Sequence, residues 1–154
     1  MVDETLLDIV VTTEDREECI ALIDQLLSLI YTNDSSLLSF LHSDVPEIFS
    51  KFFLNYLQTT VDSQSKERIL RKLRDEVSHL EKISITVAFR PSRNSLEKMV
   101  SQVRKQYGSN MVMEVHYNPE IIAGAEIVYK GIYRDMTSRK KLDEVLNGMK
   151  GKAL

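Results

Sequence analysis

Apolar and polar positions divide this chain into two stretches of different periodicity. Up to about residue 80 the apolar residues recur at helical spacing, with one Pro and no Gly. From Ile83 onward, runs of period two alternate with helical stripes, and all five glycines appear. Ile20, Ile23, Leu26, Leu27, Ile30 and Tyr31 form one stripe and predict a helix over about 14–31, opened by Thr12 or Thr13. Asn33-Asp34-Ser35 breaks it, and Leu37, Leu38, Phe40 and Leu41 predict a short second helix. Asp44-Val45-Pro46-Glu47 reads as the next start signal, with Pro in the first turn, where its missing N–H costs nothing. Ile48, Phe49, Phe52, Phe53, Tyr56 and Leu57 follow on one face. The aromatic members Phe49, Phe52, Phe53 and Tyr56 are read as core, with a groove for a partner's amphipathic helix as the alternative.

Asp62-Ser63-Gln64-Ser65 is a polar break and the expected domain boundary. A helix over about 66–80 follows, with Ile69, Leu70, Leu73, Val77 and Leu80 inward. Ile83, Ile85, Val87 and Phe89 alternate with small polar residues and predict a half-buried strand. Leu96, Met99, Val100, Val103 and Tyr107 predict a helix capped by Ser92 or Asn94 and stopped at Gly108. Met111, Met113, Val115 and Tyr117 predict a second strand and Ala125–Tyr129 a third. Lys130-Gly131 turns the chain into a short fourth piece at Ile132-Tyr133. Asp135 is expected to cap a last helix with Leu142, Val145, Leu146 and Met149 on its apolar face. The fold class is α+β. A helical bundle over 1–62 and a connecting helix over 63–82 precede a strand-helix-strand-strand-helix domain over 83–150 and a fraying tail over 151–154.

Composition narrows the function classes. The hydrophobic fraction of 43% supports a packed core. A net charge of −3 argues against a dedicated nucleic-acid binder, whose footprint is strongly basic. A lone cysteine, Cys19, excludes an intramolecular disulfide and a cysteine-based metal site. The first residues are acidic and lack a basic n-region, so neither a secretory signal nor a transit peptide is expected, which favours a bacterial source. No apolar run approaches the length of a membrane span, so no direct membrane insertion is expected.

Candidate chemistry is sparse. His42, His79 and His116 share no ligand spacing, and His116 falls on a polar strand face beside Glu114. No Gly-rich phosphate loop or nucleophile motif is present, so no catalytic residue, metal or cofactor is assigned. Two basic clusters stand out: Lys66, Arg68, Arg71, Lys72 and Arg74, then Arg134, Arg139, Lys140 and Lys141. Both read first as solvated helix faces with acidic neighbours. The alternative is a small RNA-associated protein docking through those faces. No exposed aromatic pair on a strand or Gly-x-x-Gly clamp accompanies it.

The stretch from Val115 to Leu142 carries the most information: Asn118-Pro119, the apolar pair Ile121-Ile122, Ala123-Gly124, a short hairpin, Asp135-Met136-Thr137, and then Leu142. Pro119 sets a turn, Gly124 permits a close approach or a positive φ, and Asp135 ends the hairpin. This spacing resembles the C-terminal signature of the delta subunit of F-type ATP synthases, called OSCP in mitochondria. That signature has Asp at the position of Asn118 and Asp-Gly-Ser where this chain has Asp135-Met136-Thr137. The helical half is shorter than the family's six-helix bundle, and the family's N-terminal Tyr-Ala motif has no counterpart. The resemblance implies a non-catalytic stator subunit, peripheral to the energy-transducing membrane on its cytoplasmic side. Its implied partners are the N-termini of alpha subunits and the C-terminal helix of the b subunit. The faces implied for contact carry Phe49, Phe52, Phe53 and Tyr56 in the first half, and Leu142, Val145, Leu146 and Met149 in the last helix.

Overall fold

The computed structural model describes residues 5–60 and 62–137, and the chain falls into two compact units that part between Leu80 and Glu81. The first is helical: α1 (Leu6–Ile9), α2 (Thr13–Leu29), α3 (Asp34–Ser43), α4 (Glu47–Gln58) and α5 (Ser63–Ser78). The second holds β1 (Glu81–Val87), α6 (Arg93–Tyr107), β2 (Met111–Tyr117), β3 (Ala125–Tyr129) and β4 (Ile132–Asp135). The α+β class is as expected. The last helix, with Leu142, Val145, Leu146 and Met149, lies outside the described residues.

Short polar side chains set the helix starts of the first unit. Thr12 accepts the N–H of Asp15 at 3.2 Å, and Asp15 Oδ2 accepts the N–H groups of Thr12 and Val11 at 3.0 and 2.9 Å. This reciprocal pairing satisfies donors that a helix leaves open. Asn33 caps α3 and Asp62 caps α5 one way, their side chains accepting the N–H groups of Ser36 and Ser65. The polar break at Asp62–Ser65 is therefore the opening of α5, which packs on α2 inside the first unit; the chain divides only after Leu80. Asp44 does not open α4. It is the C-cap of α3, and Pro46 stands at the N-cap of α4 with no side-chain cap.

The buried stripe of α2 runs through Cys19, Leu22, Ile23 and Leu26 to Ile30, so it is rotated from the expected one. Ile20 and Leu27 are half-buried, and Tyr31 lies exposed beyond the helix, its hydroxyl donating to Glu67. The expected stripe gave no weight to Cys19, a small apolar side chain that fits where helices approach closely. Helix α1 was not anticipated either. It is a single turn, closed by Thr5 and Asp8, and too short to show periodicity. With Val10 and Val11 it adds Leu6 and Ile9 to the core. Ser50 Oγ donates to the Leu41 carbonyl at 2.7 Å, satisfying a buried hydroxyl and joining α3 to α4. Arg74 forks onto Asp24 at 2.6 and 3.2 Å, joining α5 to α2 at the surface.

The sheet order in the second unit is β2-β1-β3-β4. Strands β1 and β2 are parallel, with Glu81 opposite Met111 and Val87 opposite Tyr117. A parallel pair needs a crossover, and α6 supplies it. Ser92 caps α6 and Gly108, at φ +119°, ends it. Strand β3 runs antiparallel to β1 and β4 antiparallel to β3. The β3–β4 hairpin turns at Lys130 and Gly131 with φ +48° and +77°, the two positive angles of a turn whose twist suits adjoining strands. Ile83, Ile85 and Val87 are buried as their alternation requires. Phe89 lies past the strand and is exposed. Val112, given no role by the period-two reading of β2, is buried along with Met111 and Met113.

Burial pushes the Cys19 thiol up from 9.0 to about 12, with the Asp15 and Glu18 carboxylates adding to the effect. Between those two values the unfolded chain releases a proton that the folded chain keeps. Stability contributed by the neutral thiol is thus complete below the unfolded pKa and declines as pH rises through the window, by up to about 1.4 kcal/mol per pH unit. Urea melts at about pH 8 and about pH 10 are expected to show a larger loss for the wild type than for Cys19→Ala. Equal losses in the two proteins would remove the thiol as the cause.

Candidate functional site

The signature residues meet in one corner of the second unit, just beyond the ends of β1 and β2. Strand β2 ends when the Asn118 N–H donates to the Val87 carbonyl at 2.9 Å. The next four residues form a turn: Ile121 N–H donates to the Asn118 carbonyl at 3.2 Å, and Pro119 holds the second position, for which its fixed φ is suited. Asn118 Oδ1 accepts the Glu120 N–H at 3.0 Å. An aspartate would offer the same acceptor, which explains why Asn serves at a position where the family pattern has Asp. Ile121 is buried by this turn, while Ile122 points to solvent at 70% exposure.

Gly124 then brings two backbone segments together. Its φ is +91°, and a Cβ built on it would stand 2.3 Å from the Met136 carbonyl oxygen and 3.0 Å from Thr137 Cα. Any side chain here meets both a backbone clash and an unfavourable φ. The same two segments are tied by Met136 N–H donating to the Ala125 carbonyl at 2.9 Å. Asp135 closes the far side: its Oδ1 accepts the Thr137 N–H at 2.8 Å and the Thr137 hydroxyl at 2.6 Å. Thr137 is buried. Met136 occupies the family's Gly position without a positive φ, so the glycine is not needed there. Pro119, Ala123, Gly124, Asp135 and Thr137 thus bound one turn-and-hairpin corner. Leu142, the last signature residue, lies outside the described residues.

The faces proposed for partner contact fare differently. Phe49, Phe52 and Phe53 are buried in the first unit, Phe52 meeting Phe53 edge-on at 5.4 Å, so they are core and offer no contact surface. Tyr56 packs beside Phe52 at 4.7 Å but keeps an exposed flank. Sequence periodicity marked all four as one face, and only the neighbouring helices decide which members stay accessible. Beside the signature corner Met136 is 60% exposed, and at the turn end of the hairpin Ile132 is 62% exposed; neither was read as a contact residue, since isolated apolar residues in a hairpin carry no pattern.

The basic face of α5 is largely paired. Arg71 meets Glu67 at 2.7 Å, Lys72 meets Glu76 at 3.8 Å, and Arg74 holds Asp24. That internal neutralisation leaves little positive field for a phosphate backbone. Arg134 is exposed on β4; Arg139, Lys140 and Lys141 lie outside the described residues. On the sheet, Lys82 and His116 both approach the Glu114 carboxylate, at 3.0 and 3.2 Å, and Lys82 holds that carboxyl below its ordinary range. Among the described residues no group of His, Cys, Asp or Glu gathers as a metal site would. Nor is any helix there long and apolar enough to cross a membrane.

Gly124→Ala is expected to destabilise the second unit by roughly 2 kcal/mol or more, because the clash is with backbone and not with a movable side chain. Amide hydrogen exchange should show the Met136 N–H losing protection while amides of α2 and α5 keep theirs. Unchanged protection at Met136 would show that the two segments do not depend on the missing Cβ.

Among curated proteins, none matches the chain. Among protein families, residues 25–149 match the ATP synthase delta (OSCP) subunit, a span that runs from α2 through the whole signature corner. Members of that family are structural subunits of the ATP synthase peripheral stalk, peripheral to the membrane and not themselves catalytic. With well over half its length inside the match, the chain belongs to the ATP synthase delta (OSCP) subunit family.

Proposed function

We propose that this chain is the stator subunit that ties the stationary catalytic head of a proton-translocating F-type ATP synthase to its peripheral stalk. Torque on the rotor then drives ATP synthesis instead of turning the head. In this reading the first unit, 1–80, is a reduced helical bundle that meets alpha-subunit N-termini, and the second unit meets the C-terminal helix of subunit b. The protein sits on the cytoplasmic side of the energy-transducing membrane, bound to its partners and not to lipid. It contributes binding energy and stiffness and holds no cofactor.

The observation that carries this reading is the signature corner: Gly124, Asp135 and Thr137 lock a turn and a hairpin together and leave Ile122 and Met136 exposed around them. A rigid corner bearing exposed apolar side chains suits capture of an amphipathic helix. The pairing of the α5 arginines and lysines with neighbouring carboxylates disfavours the RNA-associated reading.

Tagged chain drawn from a native membrane extract is expected to bring down alpha and b subunits together. Recovery of neither would overturn the proposal. Ile122→Asp, which alters an exposed side chain and leaves the core alone, is expected to lose b while retaining alpha. Retention of both would move the b contact away from this corner.

A further inference from the structure

The sulfur atoms of this chain sit in contrasting places. Met111 and Met113 are packed in β2 with no exposed surface, and Cys19 has none either. Cys19 is further protected because burial pushes its thiol up to about 12, so almost no thiolate forms near neutral pH. Met99 is half-buried on α6. Among the described methionines only Met136 is open, at 60% exposure. Its φ is not positive, so the side chain is carried without backbone strain. The backbone cannot shift to withdraw that side chain. Its N–H is bonded to the Ala125 carbonyl at 2.9 Å, and its carbonyl lies where Gly124 leaves no room for a Cβ. Asp135 bridges across it to the N–H and hydroxyl of buried Thr137.

We infer that Met136 is a site of reversible oxidation, through which a peroxide weakens the hold of the signature corner on its partner. The peroxide gives one oxygen atom to the thioether: its O–O bond breaks, an S–O bond forms, sulfur loses two electrons and water leaves. A thiol-dependent reductase restores the thioether, its two thiols becoming a disulfide and the oxygen departing as water. The sulfoxide is polar and accepts hydrogen bonds, so covering it costs free energy where covering the thioether did not. At Met111 or Met113 the same change would disrupt a core. At Met136 it alters only the exposed surface near Ile122, and the Gly124 contact keeps the corner in place throughout. An apolar partner surface thus loses affinity for an intact corner and regains it on reduction. The consequence for binding rests on the stator reading; the oxidation chemistry does not.

The test treats the full chain with limiting hydrogen peroxide and follows each methionine by peptide mass mapping. Capture of subunit b is measured before treatment, after it, and after reduction by methionine sulfoxide reductase. Met136 should be oxidised at least about tenfold faster than Met111 and Met113, which must wait for the fold to open. Capture should weaken about tenfold on oxidation, because a polar group is then withdrawn from water, and should return on reduction. Met136→Leu, which keeps an apolar side chain of similar size, should hold b and be insensitive to peroxide. Met1 and Met149, outside the described residues, remain in that variant, so it separates their oxidation from that of Met136. Oxidation of Met136 no faster than of the buried pair, unchanged capture by fully oxidised wild type, or equal weakening of Met136→Leu would each overturn the inference. Failure of the untreated chain to capture b overturns the stator reading and with it the effect on binding, whereas the mass map decides the oxidation site without any partner.

Discussion

Two backbone segments can lie against each other at the distance seen between Gly124 and Met136–Thr137 only where one of them lacks a Cβ. The rest of the second unit is arranged around that contact. It fixes where the chain re-enters the sheet after the Asn118-Pro119 turn, and so fixes the register of β3 against β1, with Ile85 opposite Ile127. It also fixes where β4 ends, because Met136 N–H bonds to the Ala125 carbonyl across the same gap. Asp135 then satisfies the N–H and hydroxyl of buried Thr137, two donors that would otherwise be stranded away from water. A signature that looks like scattered turn residues in sequence is one mutual constraint in space.

The helical unit is held by a different kind of interaction. Side-chain packing dominates, with Leu70, Leu73 and Val77 of α5 buried in the same unit as Ile23 and Leu26 of α2. Capping residues set where each helix begins, and a few polar contacts join neighbours: Ser50 to the Leu41 carbonyl, and Arg16 to the Leu80 carbonyl at 3.1 Å. Packing of this kind tolerates changes in helix number and length better than a backbone contact does, since many side-chain combinations fill a given volume.

Legibility followed the same division. Helix existence was readable because the apolar stripes are long, and α3, α4, α5 and α6 fall close to where periodicity places them. Caps were readable where Thr, Asn, Asp or Ser precede a stripe, as at Thr12 and Ser92, and misleading at Asp44, which closes one helix instead of opening the next. Rotation of a stripe is harder to read. Cys19 was passed over, and Tyr31 was counted inward although it sits past the last turn, where periodicity no longer governs. The turn chemistry of Asn118-Pro119 and Gly124 could be read directly, but not the partner of Gly124, since a close approach between residues twelve apart leaves no local trace. In sequence Lys66 is one more cation in a basic helix, and its burial beside Asp34 leaves no local mark.

Among the described residues, the groups displaced from their ordinary pKa share one direction of effect. A group that exchanges protons in catalysis is tuned toward neutrality. Here the displaced groups move the other way. Arg74 holds the Asp24 carboxyl down, Lys51 does the same for Glu47, and Tyr31 and Arg71 do so for Glu67. The Glu81 carboxyl is lowered by the Tyr129 hydroxyl and by Lys130. Burial and a nearby carboxylate raise the Tyr133 phenol, and burial raises the Cys19 thiol. Each of these groups is fixed more firmly in the charge it already carries near neutral pH.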